Sequence, residues 1–188
     1  MIGDEFPLVL TAAKSGDDQA IERLYRSCAP LVRGYLRSNR VRDADDVTSD
    51  VFVSMLTGLR TFEGDERSFR SWLLTITHRR MVDAVRRSQR RPEDPTDPQA
   101  GSELTIGYLD GEQSALDRLE SRGVLAAIDE LTPDQRAALM LRVLADLSVL
   151  EIARVLQKPE SAVKALLRRG FANLRRTLAA SERPGSEP

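Results

Sequence analysis

Three groups of charged side chains have the types and spacing to make specific contacts. Asp43, Asp45, Asp46 and Asp50 crowd the start of one segment. Arg79, Arg80, Arg86, Arg87, Arg90 and Arg91 meet only one acid, Asp83, between residues 78 and 91. Glu160, Ser161, Lys164, Arg168 and Arg169 recur along one helical side near the C-terminus. None of the groups is arranged for bond-making chemistry. The chain offers no paired carboxylates with a plausible pocket, no Cys/His spacing suited to a metal, and no nucleophile combined with a phosphate-binding loop, so it is read as a non-enzyme without cofactor or metal. What remains is contact chemistry. Guanidinium and ammonium groups can hold phosphates or read base edges, and carboxylates at a helix start are favoured by the macrodipole.

The elements that must position these groups are helices. Leu131 to Leu178 reads as a helix-turn-helix with another helix in front of it. Thr132, Pro133 and Gln135 form a capping box with proline at the first helical position, and Ser148 with Glu151 forms a second box, so two short helices are bracketed by two caps. After a break at Gln157 and Lys158, Pro159 sets the start of a last helix, on which Val163, Leu166, Leu167, Gly170, Phe171, Leu174 and Leu178 follow at helical spacing. Lys164, Arg168, Arg169, Arg175 and Arg176 lie on its other side. An exposed basic helix behind a tight turn fits a major groove.

Upstream, residues 7 to 38 read as a short helix, a turn at Ser15 to Asp18, and a longer helix or a pair of helices interrupted near Pro30. Val47, Val51, Phe52, Met55, Leu56 and Leu59 predict a helix over 43–59 with one buried face. Thr61 to Ser68 reads as a loop, and Phe69, Trp72, Leu73, Ile76, Met81, Val82 and Val85 begin and continue a helix whose outer side is basic. Trp72 and His78 are read as structural. Residues 92–114 hold three prolines, three glycines and six acids with no basic residue, which is linker composition. Within it, Leu104, Ile106, Tyr108 and Leu109 could dock on a partner or on either domain. Helical periodicity resumes at Ala115, and 179–188 reads as a disordered tail.

The fold class is therefore all-α, with two small helical domains over 1–91 and 115–178, the second a four-helix unit containing the helix-turn-helix. The totals agree: 41% hydrophobic and 30% charged residues describe a soluble protein whose cores are aliphatic. With 28 basic and 29 acidic residues the chain is near neutral, yet segregated charge still gives local basic fields that phosphates respond to. The single cysteine, Cys28, excludes an internal disulfide and reads as a buried small hydrophobe in a reducing compartment. No apolar run approaches a membrane span, and the acidic start MIGDEF does not resemble a signal peptide, so a cytoplasmic location is expected.

Three segments in order resemble one family, the extracytoplasmic-function sigma factors of bacterial RNA polymerase. Asp43-Ala44-Asp45-Asp46-Val47-Thr48-Ser49-Asp50-Val51-Phe52 is similar to the family's D-A-E-D-hydrophobic-T-Q-E-V-F segment. Residues 69–83, FRSWLLTITHRRMVD, resemble F-R-A-W-L-x-x-I-A-R-N-x-x-x-D and are followed by the same run of arginines. Residues 131–178 resemble the fourth conserved region, including L-x-P-x-Q-R, L-S-x-x-E-I-A and V-K.

The resemblance implies a transcription initiation factor. Asp43, Asp46, Asp50 and Phe52 would bind the clamp helices of the beta-prime subunit of core RNA polymerase. Arg79, Arg80, Arg86 and Arg87, with the loop before their helix, would engage and open the minus-ten promoter element. Glu160, Ser161, Lys164, Arg168 and Arg169 would read the minus-thirty-five element, and their domain would also lean on the beta flap. An anti-sigma factor would hold the protein inactive. Two other readings are kept: a stand-alone helix-turn-helix regulator using only 131–178, and a sigma-like interaction protein that never touches DNA.

Overall fold

The computed structural model of the chain describes residues 2–89 and 122–181. The linker 92–114 with its Leu104–Leu109 group, the segment 115–121, Arg90, Arg91 and the end of the tail lie outside the described residues. The first half holds a 3-10 turn over Gly3–Glu5 and four helices, α1 (Phe6–Lys14), α2 (Asp18–Ser38), α3 (Ala44–Leu59) and α4 (Glu66–Gln89). The second half holds α5 (Arg122–Asp129), α6 (Pro133–Ala145), α7 (Val149–Leu156) and α8 (Glu160–Ser181).

In the first half, Gly16 at φ +91° turns the chain out of α1, and the Asp17 side chain caps α2 by accepting from the Ala20 amide at 2.7 Å. Pro30 does not divide α2, which runs unbroken through it. Interior proline costs a helix about 3 kcal/mol. Burial of Leu24, Cys28, Leu31, Val32, Tyr35 and Leu36 along one face outweighs that, at roughly 1.5–3 kcal/mol for each large apolar side chain. Helix α4 begins at Glu66, inside the expected loop, because Asp65 caps it by accepting from the Ser68 amide at 2.8 Å. Trp72 belongs to an aromatic cluster with Phe62 and Phe69, at ring centroid distances of 5.0 and 5.5 Å, and Phe6 joins through Phe69. Burial pushes the Cys28 thiol up to about 11, so it stays protonated and acts as a small apolar group.

Both expected capping boxes form in the second half, Thr132 with Gln135 and Ser148 with Glu151. Arg136 has a task that its sequence position did not reveal. It is 6% exposed and donates to the carbonyls of Ile128, Asp129 and Leu131 at 3.0–3.1 Å, closing the C-terminal end of α5 against the start of α6. Gly170 lets α8 lie close to α6, since a Cβ there would sit 2.7 Å from Leu139 Cδ1. Phe171 departs from the expected apolar face: it is 41% exposed, one residue past the seam that Val163, Leu166 and Gly170 define.

The two halves are docked and share one continuous core, with α2 against α6 and α4 against α7. Arg67 at the start of α4 reaches Glu151 through Nε at 2.9 Å and a terminal nitrogen at 3.0 Å, and also donates to the Asp146 carbonyl at 3.3 Å. Arg40 pairs with Asp129, its Nε lying 2.9 Å from the carboxylate. The Arg67 hydrogen bond, aided by Ser148, holds the Glu151 carboxyl down to about 2.

His78 lies half-buried at this seam and shares a 2.9 Å hydrogen bond with the Tyr35 hydroxyl. Burial lowers its pKa below the usual 6.5; Lys158 lowers it further, while Asp134 acts in the opposite sense. A depressed histidine pKa favours the folded form while the ring is neutral. Its contribution is therefore complete above pH 6.5 and is lost as pH falls below it. Thermal unfolding followed from pH 7.5 down to 5.5 should show a falling midpoint, and His78→Gln should flatten that dependence. An unchanged slope in the variant would show that His78 is not its source.

Candidate protein and nucleic-acid interfaces

Helix α3 buries Val47, Val51, Phe52, Met55 and Leu59 and turns Asp46, Asp50, Val53 and Leu56 outward. Asp43 stands exposed just before it. Phe52 is buried as its helical spacing predicts, which corrects the contact role that the resemblance implied for it. It is 6% exposed and packs at a tilt against the Tyr25 ring, at a centroid distance of 4.5 Å, which makes it part of the core. The apolar residues available to a partner are its neighbour Val53, 65% exposed, and Leu56, 41% exposed. Sequence reading placed Leu56 inside and did not single out Val53; their exposure is set by how α2 and α4 flank α3. Phe52→Ala should therefore cost stability, about 3–5 kcal/mol by chemical denaturation. Loss of partner binding by the folded variant with unchanged stability would restore Phe52 to the surface.

The arginines of α4 lie beside this ridge. Arg80 donates twice to the Ser54 hydroxyl, at 2.8 and 3.1 Å, and Arg87 stands 4.0 Å from Asp50. Arg79 and Arg86 are exposed as well. The carboxylates and guanidinium groups that sequence assigned to separate tasks thus form adjoining stripes on one module, acids on α3 and bases on α4. Asp45, which sequence grouped with the other acids, is engaged with Arg33 and Arg37 of α2 at 3.3 and 3.5 Å.

The third group lies on α8. Gln157 takes a left-handed conformation at φ 53° to end α7, and Lys158 ties the turn to α6 through Asp134 at 2.9 Å. With that turn fixed, Val163, Leu166 and Gly170 face inward while Glu160, Ser161, Lys164, Arg168 and Arg169 all face outward. Lys164 lies 3.9 Å from Glu160 one turn earlier, an exposed pair of small energetic weight. The exposed row carries three cations, Lys164, Arg168 and Arg169, whose side chains can donate to guanine edges or hold phosphates. Among the described residues no group of three or more His, Cys, Asp or Glu side chains could hold a metal, and no helix is long and apolar enough to cross a membrane.

Comparison with known proteins matches the two modules separately. Residues 24–91 fit the family model Sigma-70 region 2, and residues 121–174 fit Sigma-70, region 4. The chain is 34% identical over 170 residues to the ECF RNA polymerase sigma factor BldN of Streptomyces coelicolor. That alignment covers 88% of this chain and 63% of BldN, so the chain spans just under two thirds of that relative. With the RNA polymerase sigma factor YlaC of Bacillus subtilis it shares 30% identity over 164 residues, covering 86% of this chain and 94% of YlaC. Among solved structures, CnrH in complex with the cytosolic domain of CnrY aligns with a TM-score of 0.65 at 25% identity, over 94% of this chain and 99% of CnrH. The sigma factor RpoE in complex with the anti-sigma factor NepR from Bartonella quintana shares the fold, with a TM-score of 0.61 at 18% identity over 86% of this chain and 98% of RpoE. Because both modules match in order and one relative is spanned almost end to end at 30% identity, the chain belongs to the extracytoplasmic-function group of sigma-70 factors, whose members bind RNA polymerase and direct it to promoters.

Proposed function

We propose that residues 1–91 and 115–178 act as two contact modules on one tether, 92–114, and divide the work of initiation between them. Asp43, Asp46 and Asp50, which precede the exposed pair Val53 and Leu56 along α3, bind with that pair the clamp helices of the beta-prime subunit. Exposed apolar side chains beside a row of carboxylates have the composition of a protein-binding patch with a basic partner. Arg79, Arg80, Arg86 and Arg87 hold phosphates of the minus-ten element while strands separate, and α8 reads the minus-thirty-five element through Lys164, Arg168 and Arg169, with Glu160 and Ser161 at its entry. The second module also leans on the beta flap. The complexes of CnrH with CnrY and of RpoE with NepR support a further partner, an anti-sigma factor. A protein working on core polymerase and promoter DNA works in the cytoplasm, which is part of this reading.

The observation that carries this reading is the exposure of Val53 and Leu56 on the same helix as the exposed Asp46 and Asp50, in the module that does not contain the helix-turn-helix. A stand-alone regulator using only residues 131–178 would leave that patch without a task. Size-exclusion chromatography with core RNA polymerase tests the point. Co-elution abolished by Val53→Glu is expected; specific duplex binding with no retention on polymerase would instead establish the stand-alone regulator.

A further inference from the structure

Ser54 on α3 belongs neither to the row of acids nor to the exposed apolar pair. Its hydroxyl donates to the Asp50 carbonyl one turn back at 2.7 Å, and accepts from Arg80 Nε at 3.1 Å and from a terminal nitrogen of the same guanidinium at 2.8 Å. A serine hydroxyl has one proton and two lone pairs, so its bonding capacity is fully used. Arg80 is exposed and commits only two of the five N–H groups that a guanidinium carries. The rest can serve a ligand.

The packing of α3 on α4 sets this contact. A Cβ at Gly58 would lie 2.8 Å from Trp72 Cζ2, so the two helices approach closely there. Farther along the pair Ser54 meets Arg80, and beyond it Asp50 stands 4.0 Å from Arg87. Arg80 and Arg87 are seven residues apart and share the side of α4 that faces α3. Arg79 and Arg86 are also seven apart, turned by about 100° from the first two, and have no hydrogen-bond or ion-pair partner among the described residues. The four cations therefore form two rows, one laid against α3 and one loose. An arginine that is already held loses less side-chain freedom when it grips a phosphate. The loose row supplies charge, and the held row fixes where a phosphate sits.

We propose that Ser54 is a positioning residue for promoter DNA: its hydroxyl holds the Arg80 guanidinium in place for a phosphate of the minus-ten element, without touching the DNA itself. This rests on the promoter reading of the α4 arginines given above.

Two substitutions separate the hydroxyl from the helix. Ser54→Ala removes the acceptor and suits a helix well. Ser54→Thr keeps it, and Thr48 and Thr57 on the same helix already donate to the carbonyl four residues back at 2.7 and 2.9 Å. Nitrogen relaxation of the arginine Nε–H groups in the free full chain reads the hold without polymerase. Arg80 should be more ordered than Arg79 and Arg86 in wild type and Ser54→Thr, and as mobile as they are in Ser54→Ala. With core polymerase, on a promoter at which the protein directs initiation, the open complex of Ser54→Ala should dissociate about 3–10-fold faster, and Ser54→Thr should restore its lifetime. The salt slope should stay as in wild type for Ser54→Ala, which loses no charge, and flatten by about 1.5 for Arg79→Ala/Arg86→Ala. In an Arg80→Ala background Ser54→Ala should add nothing.

An equal loss from Ser54→Ala in that background, or an Arg80 as mobile in wild type as in Ser54→Ala, overturns the positioning role. So does a loss that excess protein abolishes, since it would belong to polymerase binding beside Val53. An Arg80 held as described, whose replacement by alanine leaves the open complex unchanged, overturns the promoter reading of that arginine and leaves the hold by Ser54 standing.

Discussion

Replacing Asp46 and Asp50 together by lysine is expected to weaken binding to core RNA polymerase about 100-fold, the scale of reversing two charges at a complementary interface. Both side chains are exposed on the outer face of α3, so the fold should be spared and the circular dichroism unchanged. Asp50 also stands 4.0 Å from Arg87, and reversing it places two cations side by side. That pair is long and exposed, so its loss is small beside the interface effect. Asp45→Lys serves as the contrast: its carboxylate is held by Arg33 and Arg37, and a change there acts on the packing of α2 against α3. Full polymerase affinity in the Asp46/Asp50 variant would move the interface off α3.

Replacing Arg168 and Arg169 together by alanine should reduce occupancy of the upstream promoter element about 10–100-fold. Each phosphate contact contributes about 0.9 to the salt slope of binding, so a loss confined to phosphate contacts should also flatten that slope by nearly 2. A loss of affinity with little change of slope, restricted to particular base substitutions, would mark the arginines as base readers. Lys164 should matter less, because Glu160 lies 3.9 Å away and offsets part of its charge. Footprints of the holoenzyme measured at several salt concentrations decide among these outcomes. A footprint identical to wild type throughout would remove both arginines from the interface.

Helix ends were legible because their causes are local. Thr132 with Gln135 and Ser148 with Glu151 lie three residues apart, and each pair forms the reciprocal hydrogen bonds that its spacing implies. The outward row on α8 was legible for a similar reason, since the helical period alone separates Lys164 and Arg168 from Val163 and Leu166. Helix α3 was harder, because Val51, Phe52, Val53, Met55 and Leu56 place apolar side chains almost all round it. Which of them meets solvent depends on where α2 and α4 lie, and so Leu56, which periodicity placed inside, is exposed, while Phe52 stays inside as its spacing implied. The seam was not legible at all. Arg67 meets Glu151 across 84 positions and Arg40 meets Asp129 across 89, and no local pattern announces such a pair. Arg136 shows a third limit. Its sequence neighbours mark a helix start, while its three bonds go back to the end of the preceding helix.

Transcription reconstituted from purified core polymerase, this protein and a fragmented library of DNA from the source genome, with start sites mapped by sequencing, tests the division of labour most directly. New start sites should appear only when the protein is present, share two sequence elements upstream, and vanish with the Asp46→Lys/Asp50→Lys variant. They should weaken with Arg168→Ala/Arg169→Ala through the more distant element alone. Specific binding to library DNA with no polymerase-dependent start site would contradict the assignment of the first module to polymerase.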